Sequence, residues 1–439
     1  MALYRSISLA IILCLAATSA QAVTAQTETL SLKDALAKAV VNNPLLTEGR
    51  LGVASSEQSV VSAFGKHYPR FSLDANLTQR QDPFPYIPAQ SAKTGPHFSD
   101  SFAFYTIQMS VPIYQGGQIV NGVALAEVRK QLQEQSLYFT RNEIIANSVN
   151  TYNKLLQLQK LKDASQSSVT ALEEQVKNSR LSLELGRIAR VDLLKVDVQL
   201  ANERQRLLSL EESIITLAAT LQYLMGEPPK GEVLPTLTSA LEVPPLEGDF
   251  VRALESAKLR RPEYLSALAG VKEAEFSRKV TQGRFLPTVS AVAGYLDSFG
   301  FNPWYKEANW FTGINLSVPL FDKPLLADRS RDRIQKERSQ ARLSAVENQV
   351  RLDIQTALTS LQESKKRIEV AQGVLVQARE SFRIEQEKYN SGAGVMVDLL
   401  LAQSAEVNAV ANYTQSLYDY NAAVVAYRRA TGTLEEYLQ

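Results

Sequence analysis

Two aspartates, Asp192 and Asp398, each stand six residues after a glycine, Gly186 and Gly392, in matching Val-Asp-Leu-Leu segments. A carboxylate at that distance from a chain break falls in the first turn of the next helix. There it complements the partial positive charge of the helix N-terminus, worth ~0.3–1 kcal/mol. It can also act on its surroundings, as a fixed charge that repels its like and attracts cations. Few other side chains offer chemistry. Two histidines, His67 and His97, and one cysteine, Cys14, are too few for a His/Cys metal site or a Cys–His nucleophile. His67 stands at a helix–strand junction and His97 in a polar stretch, both expected to be solvated. Gly116-Gly117 is too short for a phosphate loop. With 47 Lys+Arg against 46 Asp+Glu in 439 residues, the chain lacks the basic surplus of a nucleic-acid binder. Composition thus argues against most enzyme classes and implies neither metal nor cofactor.

The elements that position these residues belong to an exported chain. Arg5 precedes an apolar stretch from Ile7 to Ala17, and Ala20-Gln21-Ala22 supplies a small-x-small cleavage pattern. Residues 1–22 therefore read as a secretory signal peptide, whose removal also removes Cys14 and with it any disulfide. No later apolar run approaches the ~18–20 residues of a spanning helix. If the chain crosses a membrane, it does so as a β-barrel.

A duplication organises the rest. Asn43-Pro44 answers Arg261-Pro262, and Tyr68-Pro69 answers Leu286-Pro287, both at an offset of 218. Ser110-Val111-Pro112-Ile113-Tyr114 answers Ser317-Val318-Pro319-Leu320-Phe321 at 207, and the two Val-Asp-Leu-Leu segments are 206 apart. The first copy, residues 23–235, therefore carries an insertion of about a dozen residues between the second and third landmarks; the second copy is 236–439. Pro228, Pro229, Pro235, Pro244 and Pro245 mark the joint.

Each copy predicts the same order: a short helix opened by a capping sequence such as Ser31-Leu32-Lys33-Asp34, a second helix, two strands, and a long helical hairpin. Strands are expected at about 69–80 and 101–113, then 287–297 and 309–320. Phe71, Leu73, Ala75 and Leu77 alternate with Ser72, Asp74, Asn76 and Thr78, and Trp310, Ile314, Leu316 and Val318 share one face. Such strands reach the ~9–11 residues of a tilted membrane strand, although a soluble sandwich shows the same alternation. Gln81–Asp100 and Ser298–Ala308 are expected to be loops. The hairpins, about 117–225 and 325–430, contain long proline-free runs in which apolar residues recur at threes and fours. Each first arm spans on the order of 100 Å, with coiled-coil-type packing between helices. The fold class is mainly α with a β-barrel contribution: a duplicated unit giving four strands per chain.

The turns carry a resemblance. Leu185-Gly186-Arg187-Ile188-Ala189-Arg190-Val191-Asp192-Leu193-Leu194 and Tyr389-Asn390-Ser391-Gly392-Ala393-Gly394-Val395-Met396-Val397-Asp398-Leu399-Leu400 resemble the hairpin tips of TolC-type outer-membrane efflux proteins. The similarity extends over essentially the whole mature chain. It implies a homotrimer with a 12-stranded outer-membrane barrel, continued across the periplasm by a helical tunnel (an α-barrel). It also implies an exit duct for an efflux or type I secretion machine, working with a periplasmic adaptor and an inner-membrane transporter. By the same resemblance Asp398 lines the periplasmic entrance constriction. A second acidic ring is replaced by Leu401, and a closing arginine by Gly394. Asp192 and Tyr389 match a pair that ties the tips shut, and Leu185, Gly186, Arg187, Ser391, Gly392 and Ala393 form the adaptor-docking tips. Two other readings remain: an exported coiled-coil scaffold with a soluble β module, and a secreted hydrolase using dispersed carboxylates.

Overall fold

A computed structural model of the chain describes residues 29–87, 96–229, 236–239, 241, 243–245, 248–301 and 304–438. The signal segment read at residues 1–22 and the joint residue Pro235 lie outside the described residues. In chain order the elements of the first copy are β1 (Thr29–Leu30), α1 (Leu32–Asn42), α2 (Pro44–Gly65), β2 (Arg70–Ile87), β3 (His97–Gln115), α3 (Gln118–Glu184) and α4 (Arg190–Leu224). Those of the second are β4 (Thr236–Leu237), α5 (Phe250–Arg260), α6 (Pro262–Gly283), β5 (Thr288–Phe301), β6 (Trp304–Ser317), α7 (Lys323–Asn390) and α8 (Met396–Thr431), followed by a 3-10 turn at Leu434–Leu438.

Short polar side chains set the helix boundaries. The Ser31 hydroxyl accepts the Asp34 amide at 3.1 Å and donates to the Asp34 carboxylate at 2.6 Å, starting α1. Asn43 ends α1 and opens α2: its Oδ1 accepts the Leu45 amide and its Nδ2 donates to the Leu224 carbonyl at 2.8 Å. Pro44 and Pro262 occupy the first helical position, where a missing N–H leaves no bond unmade. Arg261, the counterpart of Asn43, is also buried, and its guanidinium forks between Asp353 at 2.9 Å and Glu263 at 3.1 Å.

The four long strands form one antiparallel sheet in the order β2-β3-β5-β6. Its register places Tyr295 opposite both Ile107 and Trp310, so the predicted apolar positions line one face. That face is open: Trp310 is 78% and Ile314 74% exposed, with Phe71, Leu73, Leu77 and Leu316 beside them. Ser72, Asp74, Thr106, Gln108, Asn309 and Asn315 lie on the opposite face.

The strands run further than their alternation suggested toward the expected loops, whereas β6 ends at Ser317, short of the expected 320. Residues 81–87 and 97–100, and 298–301 and 304–308, are strand rather than loop. Polar and proline-containing sequence conceals the pairing. A register shift between Gln79 and Phe84 absorbs Pro83, and β2 is an edge strand, where proline is tolerated. Aromatic contacts then hold the extensions together: Tyr86 stacks on Phe102, Phe299 packs on Trp304, and Gly300 leaves room for the Tyr86 ring. His97, expected in a solvated loop, begins β3 and stacks on Tyr305 with ring centroids 3.5 Å apart.

The helices form a wall one helix thick. Near the sheet their spatial order is α2-α3-α6-α7; beyond the middle it is α4-α3-α8-α7. The 67-residue α3 and 68-residue α7 traverse both halves, and each is too long for one partner. Halfway along, β1 pairs with β4 and the Tyr152 hydroxyl donates to the Leu30 carbonyl at 2.9 Å. The buried core is accordingly a string of clusters. Tyr152, Leu155, Ile214 and Leu221 form one, Ala257, Val350, Ile354 and Ala430 another, and Leu361, Tyr420 and Val424 a third.

Opposite faces of β6 should respond differently to charge. Arginine at Ile314, on the open apolar face, is expected to cost ~2–4 kcal/mol if that face meets the middle of a bilayer. Arginine at Asn315, on the polar face, should be tolerated. Urea titration of bilayer-folded protein measures both, and equal stability of the two variants would mean that no lipid covers the apolar face.

Candidate functional site: the paired hairpin tips

Both hairpins terminate their first arm with the same backbone device. At the first tip the Arg187 amide donates to the Ser182 carbonyl at 2.8 Å and the Gly186 amide to Leu183 at 2.9 Å. At the second, Ala393 donates to Lys388 at 2.9 Å and Gly392 to Tyr389 at 3.0 Å. Such a cap needs one left-handed residue, supplied by Gly186 at φ 69° and Gly392 at φ 76°. A Cβ on either would meet nothing within 4 Å, so the dihedral alone selects glycine. Gly394 is a different case. A Cβ there would stand 3.0 Å from both Lys388 Cβ and the Tyr389 nitrogen, while its amide donates to the Lys388 carbonyl. A larger side chain at this position would need the turn to shift by a few tenths of an ångström.

The tips expose Leu185, Gly186 and Arg187 on one hairpin and Ser391, Gly392 and Ala393 on the other. Behind them α4 and α8 start at Ala189 and Val395, neither of which caps with a side chain. Asp192 and Asp398 are the acidic residues of those uncapped first turns, where a carboxylate complements the helix dipole. The two then differ. Asp192 is half-buried and meets Lys195 at 3.3 Å. Asp398 is exposed and has no ion-pair partner among the described residues. Leu401, one turn further, is 63% exposed, whereas Leu399 and Ala402 turn inward. Asp398 and Leu401 therefore share the open face of α8.

Tyr389 packs on the cluster that joins the hairpins: Val169, Leu172, Val196, Leu200, Met396 and Leu399. Burial raises its pKa above the usual phenol value; a hydrogen bond from Gln175 opposes that, and the nearby Asp192 charge adds to the rise. Gln175 is thus the polar side chain beside the Tyr389 phenol, and Asp192 acts on it as a charge. Gln175 also lies 3.7 Å from the Met396 sulfur, and Gln199 donates to Ser404 at 3.1 Å. These glutamine contacts escaped sequence reasoning because a glutamine on a polar helix carries no marker of its partner. Among the described residues no cluster of His, Cys, Asp and Glu could hold a metal ion, and no helix is long and apolar enough to cross a membrane.

A sheet with one apolar and one polar face, standing on a helical wall of ~100 Å, is a segment of a membrane barrel set on a tunnel. The chain belongs to the outer membrane efflux protein family, which it matches over residues 35–227 and 253–433. It is 23% identical over 408 residues to the outer membrane efflux protein BepC of Brucella suis, across 92% of this chain and 86% of that protein. It is 22% identical over 313 residues to the alkaline protease secretion protein AprF of Pseudomonas aeruginosa, across 70% and 64% of the two chains. Its fold is similar to that of the Campylobacter jejuni CmeC outer membrane channel, with a TM-score of 0.78 and 16% identity over 92% of this chain and 85% of that one. The protein is an outer-membrane channel of the efflux type whose helical part extends into the periplasm.

The tip caps make a direct prediction. Alanine at Gly392 is forced into a left-handed conformation that costs ~1–2 kcal/mol, and asparagine there should cost less. Hydrogen exchange at the Ala393 amide is expected to accelerate in Gly392→Ala and to change little in Gly65→Ala, where a Cβ also meets open space.

Proposed function

We propose that three copies of the chain close into a 12-stranded barrel and a continuous helical tunnel. This assembly is the passive exit duct of a tripartite efflux or type I secretion machine. One observation carries the reading: the internal repeat is only half satisfied. β3 pairs with β5, its counterpart's neighbour, while β2 and β6 remain open edges. Likewise α3 packs on α6 and α8 of the second copy, while among the described residues its counterpart α7 packs chiefly on α5, α6 and α8 of its own copy. A second chain placed as the second copy stands to the first satisfies strands and helices together. Three chains give the number of strands that the family resemblance implies, and edges in lipid require closure. A soluble β module accounts less well for the open apolar face around Trp310 and Ile314.

In this duct the exposed tips at Leu185–Arg187 and Ser391–Ala393 receive a periplasmic adaptor, which links the duct to an inner-membrane transporter. Around the axis, three Asp398 carboxylates form the entrance constriction, with Leu401 as an apolar ring one turn further in. Like charges so arranged favour cations at the entrance. Asp192 and Tyr389 hold the tips closed, the latter through Gln175 and the tip cluster. The duct performs no catalysis; the energy for transport comes from the partner in the inner membrane.

Native mass measurement in detergent is expected to return a trimer, and a monodisperse soluble monomer would overturn the assembly. In planar bilayers Asp398→Ala should lower cation preference. Tyr389→Phe, which removes the hydroxyl that lies beside Gln175 and the Asp192 charge, should raise the opening frequency. Unchanged selectivity would reduce Asp398 to a helix-start residue, and unchanged opening would reduce Tyr389 to packing.

A further inference from the structure

The polar face of the sheet continues onto one side of the helical wall. A cavity of about 1060 Å³ is lined by Arg70, Ser110 and Ser290 from that face and by Lys66 and the α2 and α3 side chains below it. A second, of about 640 Å³, lies between α3, α6 and α7. The α3 residues that line them form one stripe: Gln118, Gly122 and Arg129 in the first, Arg129, Leu132, Ser136 and Phe139 in the second. Such three- and four-residue spacings keep to a single helix face. Both cavities therefore open on the side of the sheet's polar face, which in the closed ring is the bore.

The charges on this wall do not balance. Its lining carboxylates, Glu263 and Glu273, are already bridged to Arg261 and Arg129. Lys66, Arg70, Arg338 and Arg342 also line it, and none has a carboxylate within ion-pair distance among the described residues. Much of the rest is neutral and hydrogen-bonding, such as Ser59, Ser62, Ser266 and Gln335. Ring closure would set α7 beside the α2 of a neighbouring copy. The lining face of α2 offers serines and Lys66, and helical periodicity adds one exposed carboxylate, Glu48. Asp74, exposed on the sheet's polar face four residues beyond Arg70, offsets one more, and a positive surplus still remains at the level of the cavities.

We infer that the bore at the level of these two cavities, below the barrel, is an anion-attracting collar, and that it favours cargo bearing several carboxylate or phosphate groups. Guanidinium groups recognise both through paired hydrogen bonds. Low-dielectric walls concentrate their field, while screening over ~8 Å at physiological salt confines it to the wall. Multivalent anions that touch the wall gain most. The collar is opposite in sign to the Asp398 entrance, so the duct selects at two separate levels.

This inference rests on the duct reading, and the test separates the two. Inorganic tripolyphosphate is added to the extracellular side of the reconstituted trimer, in the parent and in Asp398→Asn, so that the probe meets the collar without crossing the entrance. It should block the current in both, whereas spermine from the same side should not block Asp398→Asn, which lacks the acidic entrance ring. Arg338→Glu combined with Lys66→Glu should raise the half-blocking concentration roughly tenfold. Arg338→Lys should retain the block, and so should Arg333→Glu, the same charge change on the far side of α7. If the double variant fails to assemble, Arg338→Gln gives the same comparison with a smaller shift. Block that is indifferent to these changes, or equal for spermine in Asp398→Asn, overturns the collar and leaves the duct standing. A protein that forms no conducting assembly removes the duct reading itself.

Discussion

An open strand edge cannot stand in hydrocarbon, because each unpaired N–H and C=O there costs several kcal/mol with no water to replace the bond. β2 and β6 are such edges, on a sheet whose outward face is apolar. The chain is thus an unfinished object, and in the proposed trimer its missing partners are copies of itself. The wall of helices has the same deficit in water. Being one helix thick, it has no interior layer, and each helix must bury its stripe against a lateral neighbour.

The duplication meets both demands with one geometry. Whatever relates the first copy to the second within a chain can relate the second to the first of the next. The two copies have meanwhile diverged in chemistry at the same joint. Asn43 satisfies the helix break by bonding a carbonyl and an amide, whereas Arg261 does so by forking to two carboxylates. Both are buried polar groups with their hydrogen bonds made, the condition under which such groups are tolerated inside a protein. The long arms need such joints, since each must change partners halfway along its length.

Much of the architecture was legible from the chain alone. The repeat, the alternating strands, the proline-free arms and the glycines of the tips are properties of neighbouring residues or of a simple offset. Gly186 and Gly392 illustrate why: a left-handed dihedral is a local demand, and no distant atom crowds either residue. The acidic first turns at Asp192 and Asp398 are local in the same sense.

Other features depended on groups brought together from far apart in sequence. The strands extend through Phe84, Tyr86, Phe299 and Trp304 because aromatic rings from different strands meet, which alternation within one strand cannot reveal. Tyr389 meets Gln175 across the hairpins, and Gly394 is crowded by the backbone folded back over it. The near-neutral total of 47 basic and 46 acidic residues concealed an uneven wall. Composition counts charges, but only the packing of α3 against α6 decides that Glu273 is matched by Arg129 while Arg338 and Arg342 are left facing the cavity. Sequence determined the elements and their repetition because those follow from periods of two and three to four residues. Tertiary structure decided which charges cancel, because Coulomb's law depends on distance in space and not on separation along the chain.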